Sequence, residues 1–196
     1  MDKKCEKLLR KMCLVLKISK GLSLFWFITT ILLAVFMFFA DINSIPLESL
    51  RIDVIDITFK NDLLINKEMI AKILPVGLLL LGMLFFVAYK MFEIVESICK
   101  TALEKPFDIS IANSLVKLSK YILVGGLLTN LIIIFRFIIL TKPYNYNLLF
   151  NENYVSDIQF KNQFSLTFLL DAALVYLLSY VFRYGKELQD LSDETL

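Results

Sequence analysis

Four stretches of this chain are too long and too oily to fold in water. Residues 21–40, GLSLFWFITTILLAVFMFFA, carry no charge. As a helix they extend about 30 Å at roughly 1.5 Å per residue, the thickness of a bilayer's hydrocarbon core. Residues 75–91 (PVGLLLLGMLFFVAYKM), 122–140 (ILVGGLLTNLIIIFRFIIL) and 164–182 (FSLTFLLDAALVYLLSYVF) repeat the pattern. Only helices and closed barrels satisfy their backbone groups in hydrocarbon, and none of the four runs alternates as a barrel strand does. The expected fold is an all-α membrane protein with four transmembrane helices, forming one domain over residues 1–196.

Composition agrees. Apolar residues make up 58% of the chain and phenylalanine alone takes 17 positions, against an apolar share of about 45–50% in soluble domains. A soluble globule of this size has too little interior for so much apolar surface. The first run is longer than the apolar part of a signal peptide, and FFADINS offers no A-x-A cleavage site, so it reads as a retained span.

Lysine and arginine set the orientation. The first 20 residues carry seven, the segment from Lys90 to the third run carries five, and the tail adds Arg183 and Lys186. Residues 41–74 and 141–163 together hold six. The bias places both termini and the middle loop in the cytoplasm. Trp26, Tyr89, Tyr121, Tyr180 and Tyr184 fall near span ends, as an aromatic belt requires.

The same inventory narrows the chemistry. With no histidine in the chain, Ser–His and Cys–His catalysis and the commonest metal ligand are excluded. Cys5, Cys13 and Cys99 are not in C-x-x-C spacing and fall on the reducing side. There is no phosphate loop and no carboxylate cluster at metal spacing. The expectation is no enzyme, no cofactor and no metal. A net charge of +2 does not suggest direct binding of nucleic acid.

Between the spans, residues 3–20 place Leu8, Leu9, Met12, Val15 and Leu16 at helical spacing among basic residues. This is an amphipathic helix for the anionic inner leaflet, or a docking helix for a partner. Residues 50–59, LRIDVIDITF, alternate imperfectly like a strand, and residues 154–160, YVSDIQF, are similar. The two outer segments pair in a small extracellular sheet or remain separate irregular loops. Pro75 suits the first position of the second helix. That helix continues through Ile98 until Pro106 stops it. Ser110 is a candidate cap for a helix carrying Ile111, Leu115 and Leu118 into the third span.

Arg136 and Asp171 are the ionisable residues inside the spans, where charge is costly and usually paired or functional. We expect an interhelical ion pair between them. Alternatively they line a polar cavity for an ion or ligand, or Arg136 snorkels outward while Asp171 faces a loop or water. Asn130 is placed to hydrogen-bond across helices, at about 1 kcal/mol or less. Gly125 and Gly126 permit close helix approach.

Two landmarks carry a resemblance. The tail, residues 182–196, reads FRYGKELQDLSDETL, with Phe182, Arg183, Tyr184, Gly185, Leu188, Gln189, Asp193, Glu194 and Thr195 in a recognisable order. The middle loop offers Pro106-Phe107 followed by Asn113, Leu115 and Leu118. Together these resemble the bacterial membrane proteins grouped as domain of unknown function 2975 (DUF2975). Members often carry Gly before the Pro-Phe pair, where this chain has Lys105. The resemblance covers the whole four-span layout, but only the tail motif is specific. It implies a multi-pass protein of the bacterial plasma membrane without an assigned activity, serving as membrane partner of a helix-turn-helix regulator. The contact surface would be Pro106, Phe107, Arg183, Tyr184, Gly185, Gln189, Asp193 and Glu194. In physical terms Gly185 ends the last helix or lets the chain bend. The acidic residues Glu187, Asp190, Asp193 and Glu194 then fold back onto Lys100, Lys105, Lys117 or Lys120, or stay solvated.

Three functions fit these features. The first is a regulatory or interaction protein holding a cytoplasmic partner. The second is an immunity or envelope-stress protein protecting against a membrane-active peptide through its outer loops. The third is a subunit of a transporter, although broken helices and an inverted repeat are missing.

Overall fold

The computed structural model describes residues 3–39, 49–52, 55–58, 67–105, 107–141 and 164–194. Four helices dominate: α1 (Lys3–Phe39), α2 (Lys67–Glu104), α3 (Ile109–Thr141) and α4 (Thr167–Glu194). Each is long and apolar enough to cross a membrane. The chain is a multi-pass membrane protein whose surroundings are lipid. At 38 residues, α2 is about 57 Å long, well beyond what a bilayer core requires.

Helix boundaries depart from sequence expectation in several places. The basic segment and the first apolar run are one uninterrupted helix, α1. Pro75 does not open α2; it lies inside the helix, which begins at Lys67. The missing N–H of Pro75 costs one ladder bond, yet residues on both sides stay helical. The expected end of α2 near Pro106 agrees with its last residue, Glu104; Pro106 itself lies outside the described residues.

Residues 49–58 form an antiparallel hairpin, β1 (Ser49–Ile52) and β2 (Ile55–Thr58). Its register sets Leu50 opposite Ile57 and Arg51 opposite Asp56. The segment thus pairs with itself where a single strand was expected. Residues 154–160, its expected partner, lie outside the described residues.

The chain divides into two compact units. The first comprises Met1–Ile28, Gly82–Asn130 and Ser165–Leu196; the second comprises Thr29–Leu81 and Leu131–Phe164.

In the first unit, Val87, Cys99, Ile111, Ala112, Leu115 and Ala172 are buried. Close helix approach rests on small residues, as lipid-solvated helices require. A β-carbon on Gly126 would collide with the Phe168 side chain, so α4 lies directly against this glycine of α3. Gly125 meets Cγ1 of Val87 at 3.4 Å. Buried Ser119 and Ser179 donate back to the carbonyls of Val116 and Tyr176 at 2.9 and 2.6 Å. Trp26 stacks on Phe85 and Phe27 packs on Phe86, with ring centroids 6.1 and 5.4 Å apart.

Asn130 bonds not to another helix but to the backbone just before α4. Its Nδ2 donates to the carbonyl of Ser165 at 3.0 Å, and its Oδ1 accepts from the Ser165 N–H at 3.3 Å. The chain entering α4 thereby has both peptide groups of Ser165 satisfied by one side chain.

In the second unit, Ala34 and Ile70 are buried. Gly77 of α2 lies under Phe135 of α3, whose Cε1 would be 2.9 Å from an added β-carbon.

Candidate functional site

The sharpest cluster of sequence landmarks lies in the first unit, where the turn between α2 and α3 meets the last third of α4. The turn is shaped by Asp108. Its Oδ1 accepts the Ser110 N–H at 2.8 Å, and its carbonyl accepts the Ile111 N–H at 3.0 Å. Asp108, not Ser110, is therefore the cap of α3, since it precedes the first helical residue. Hydrogen bonds from the Ser110 hydroxyl and N–H hold the Asp108 carboxyl below its usual range, helped by the charges of Lys105 and Lys186.

The turn brings Phe107 to α4. Its ring lies over Gly185, where a β-carbon would stand 2.8 Å from Cδ1, and against Phe182 at 6.1 Å between centroids. One turn deeper, Nη2 of Arg183 donates to Oδ1 of Asn113 at 3.3 Å. The two landmarks that are far apart in sequence thus meet. Gly185 does not end the helix, which runs on to Glu194. It has no side chain because Phe107 occupies the space.

Beyond this junction α4 continues through exposed Glu187, Leu188, Gln189, Asp190, Asp193 and Glu194, with exposed Tyr184 just before it. Asp190 pairs with Lys186 one turn back. Among the described residues, none of the four acids pairs with Lys100, Lys105, Lys117 or Lys120. The helical backbone carries them outward instead of letting them fold back.

Sequence reasoning missed Glu96. It is 6% exposed and receives Nζ of Lys20 from α1 at 2.6 Å and Nζ of Lys100 at 2.7 Å. The i,i+4 spacing of Glu96 and Lys100 was a visible signal; the arrival of Lys20 was not. Two cations compensate one buried carboxylate, and Lys20 joins α1 to α2 just beyond the aromatic seam.

The two intramembrane charges fall in different units. Asp171 is an exposed residue of α4 in the first unit, and Arg136 is an exposed residue of α3 in the second. Arg136 borders an apolar cleft formed with α2, so the lining is not the polar one considered for an ion. Among the described residues no three His, Cys, Asp or Glu side chains converge as a metal site would need.

Searches of family models, curated proteins and solved structures each find no match to the chain.

Proposed function

We propose that the protein is a membrane-anchored docking protein that holds a soluble cytoplasmic partner on the projecting end of α4. One observation carries this reading: Phe107 clamps Gly185, while the helix beyond it stays exposed to its last described residue. A tail meant only to be solvated needs no such root. Held as a helix, Glu187, Gln189, Asp193, Glu194 and Leu188 form a preordered surface, which lowers the entropic cost of binding. Its acidity suits a partner with a basic surface, and a helix-turn-helix regulator has one because it binds DNA phosphates. The lysine and arginine bias places this end in the cytoplasm, and the tail landmarks resemble those of bacterial plasma-membrane proteins encoded beside such regulators.

The test uses the detergent-solubilised full chain as bait for the soluble proteins of its own cells. Wild type recovers a helix-turn-helix regulator. Removal of residues 184–196, or Phe107→Ala, reduces that recovery at least tenfold. Equal recovery by both variants overturns the reading.

A further inference from the structure

In the second unit, α2 and α3 leave between them a cleft of about 240 Å³, walled by Leu74, Gly77, Leu78, Phe135 and Ile139 and bordered by Arg136. An apolar cavity of roughly 150 Å³ already accepts a benzene-sized guest, so this one has room for a length of hydrocarbon chain. Gly77 keeps the wall open, because any side chain there would enter the space beside Phe135.

Arg136 is the polar group at this cleft. Within its unit it has no hydrogen-bond or ion-pair partner among the described residues. It lies little more than one turn before the end of α3 at Thr141, a rise of about 7 Å. Hydrocarbon does not solvate a guanidinium, and a long side chain near a span end reaches for the headgroup level. There the abundant anion is phosphate, which the planar fork of arginine binds in bidentate fashion. A water-soluble ligand would meet apolar walls with one cation and nothing else to orient it. A phospholipid satisfies both halves of the feature at once.

We propose that this cleft is a phospholipid-binding site: one acyl chain lies along Gly77, Leu78 and Phe135, and the phosphate is held by Arg136.

The probe is phosphatidylglycerol, added to the purified full chain in mild detergent and followed by native mass spectrometry. Wild type retains one molecule; diacylglycerol with the same chains is not retained, and millimolar glycerol phosphate does not displace the lipid. Arg136→Gln and Gly77→Leu each weaken retention at least tenfold, while Asp171→Asn leaves it unchanged. Should Arg136→Gln fail to fold, Arg136→Lys keeps the charge but loses the fork and weakens retention severalfold. Unchanged retention in the Arg136 variant that folds overturns the proposal. So does equal retention of diacylglycerol, displacement by glycerol phosphate alone, or a loss in Asp171→Asn matching that of Arg136→Gln, which would commit the arginine to the aspartate.

Discussion

The ring of Phe107 covers Gly185 so closely that a β-carbon on residue 185 would stand 2.8 Å from Cδ1 and 3.0 Å from Cε1. This contact ties the α2–α3 turn to the helix that leaves the last span. Phe107 is itself 47% exposed, so its removal forms no closed cavity. We predict that Phe107→Ala costs about 1–2 kcal/mol, below the roughly 3–5 kcal/mol of a fully buried ring. Thermal unfolding in detergent measures this. The same variant should raise protease sensitivity after Arg183.

The paired glycines of α3 make a sharper contrast. Alanine normally stabilises a helix by about 1 kcal/mol over glycine. At Gly126 the added carbon would meet Cβ of Phe168 at 2.5 Å, an atom that cannot swing aside without its backbone. Gly126→Ala should therefore destabilise by roughly 1–3 kcal/mol. Gly125→Ala, with its neighbour at 3.4 Å, should be neutral or stabilising. Parallel melts should show a loss for Gly126→Ala and none for Gly125→Ala if the packing is as described.

Asn130 should resist replacement by an isosteric apolar residue. Asn130→Leu strips both bonds from the Ser165 peptide groups, at about 1–3 kcal/mol. Hydrogen exchange should report faster opening at the start of α4 in that variant, and little change at the start of α3.

Glu96→Gln removes the anion that Lys20 and Lys100 share. Because those lysines retain 26% and 64% side-chain exposure, they rehydrate, and the loss should be about 1 kcal/mol, not the roughly 3–5 kcal/mol of a sealed pair. A double-mutant cycle between Lys20 and Glu96 isolates the bond between α1 and α2.

The cap of α3 should be sensitive to acid. The folded-state carboxyl of Asp108 is held below its ordinary value. Its contribution is therefore complete above the unfolded aspartate value near 3.9 and is lost as pH falls through the depressed one. Asp108→Ala should melt below wild type at neutral pH and converge with it in acid. Asp108→Asn should keep the cap without the pH dependence.

The four helices were legible because a long apolar run without strand alternation crosses lipid only as a helix. Their ends were not. Pro75 looked like a start because the helix-forming residues before it, Lys67 to Leu74, include charges; Asp108 lost to Ser110 only by two positions of register. Gly185 illustrates a deeper limit. Its sequence suggests a helix end, yet the reason for glycine is Phe107, a ring 78 residues earlier that no local pattern connects to it. The landmarks of the turn and tail were each visible, but not their contact. Glu96 was overlooked because a carboxylate in a charged loop reads as solvated until Lys20 arrives from another helix. Asn130 was singled out for a bond across helices; its partner is instead the Ser165 backbone, two residues before α4 begins, which no side-chain pattern announces.

The measurement closest to the heart of the account is side-specific labelling of single cysteines in intact cells, with Cys5, Cys13 and Cys99 replaced by serine. An impermeant maleimide should modify cysteines placed at Asp56 and Ser156 directly. It should reach those placed at Lys11, Glu104 and Asp190 only after the membrane is opened. Direct labelling at Asp190 in sealed cells would put the clamped helix on the wrong side for any cytoplasmic partner and contradict the proposal.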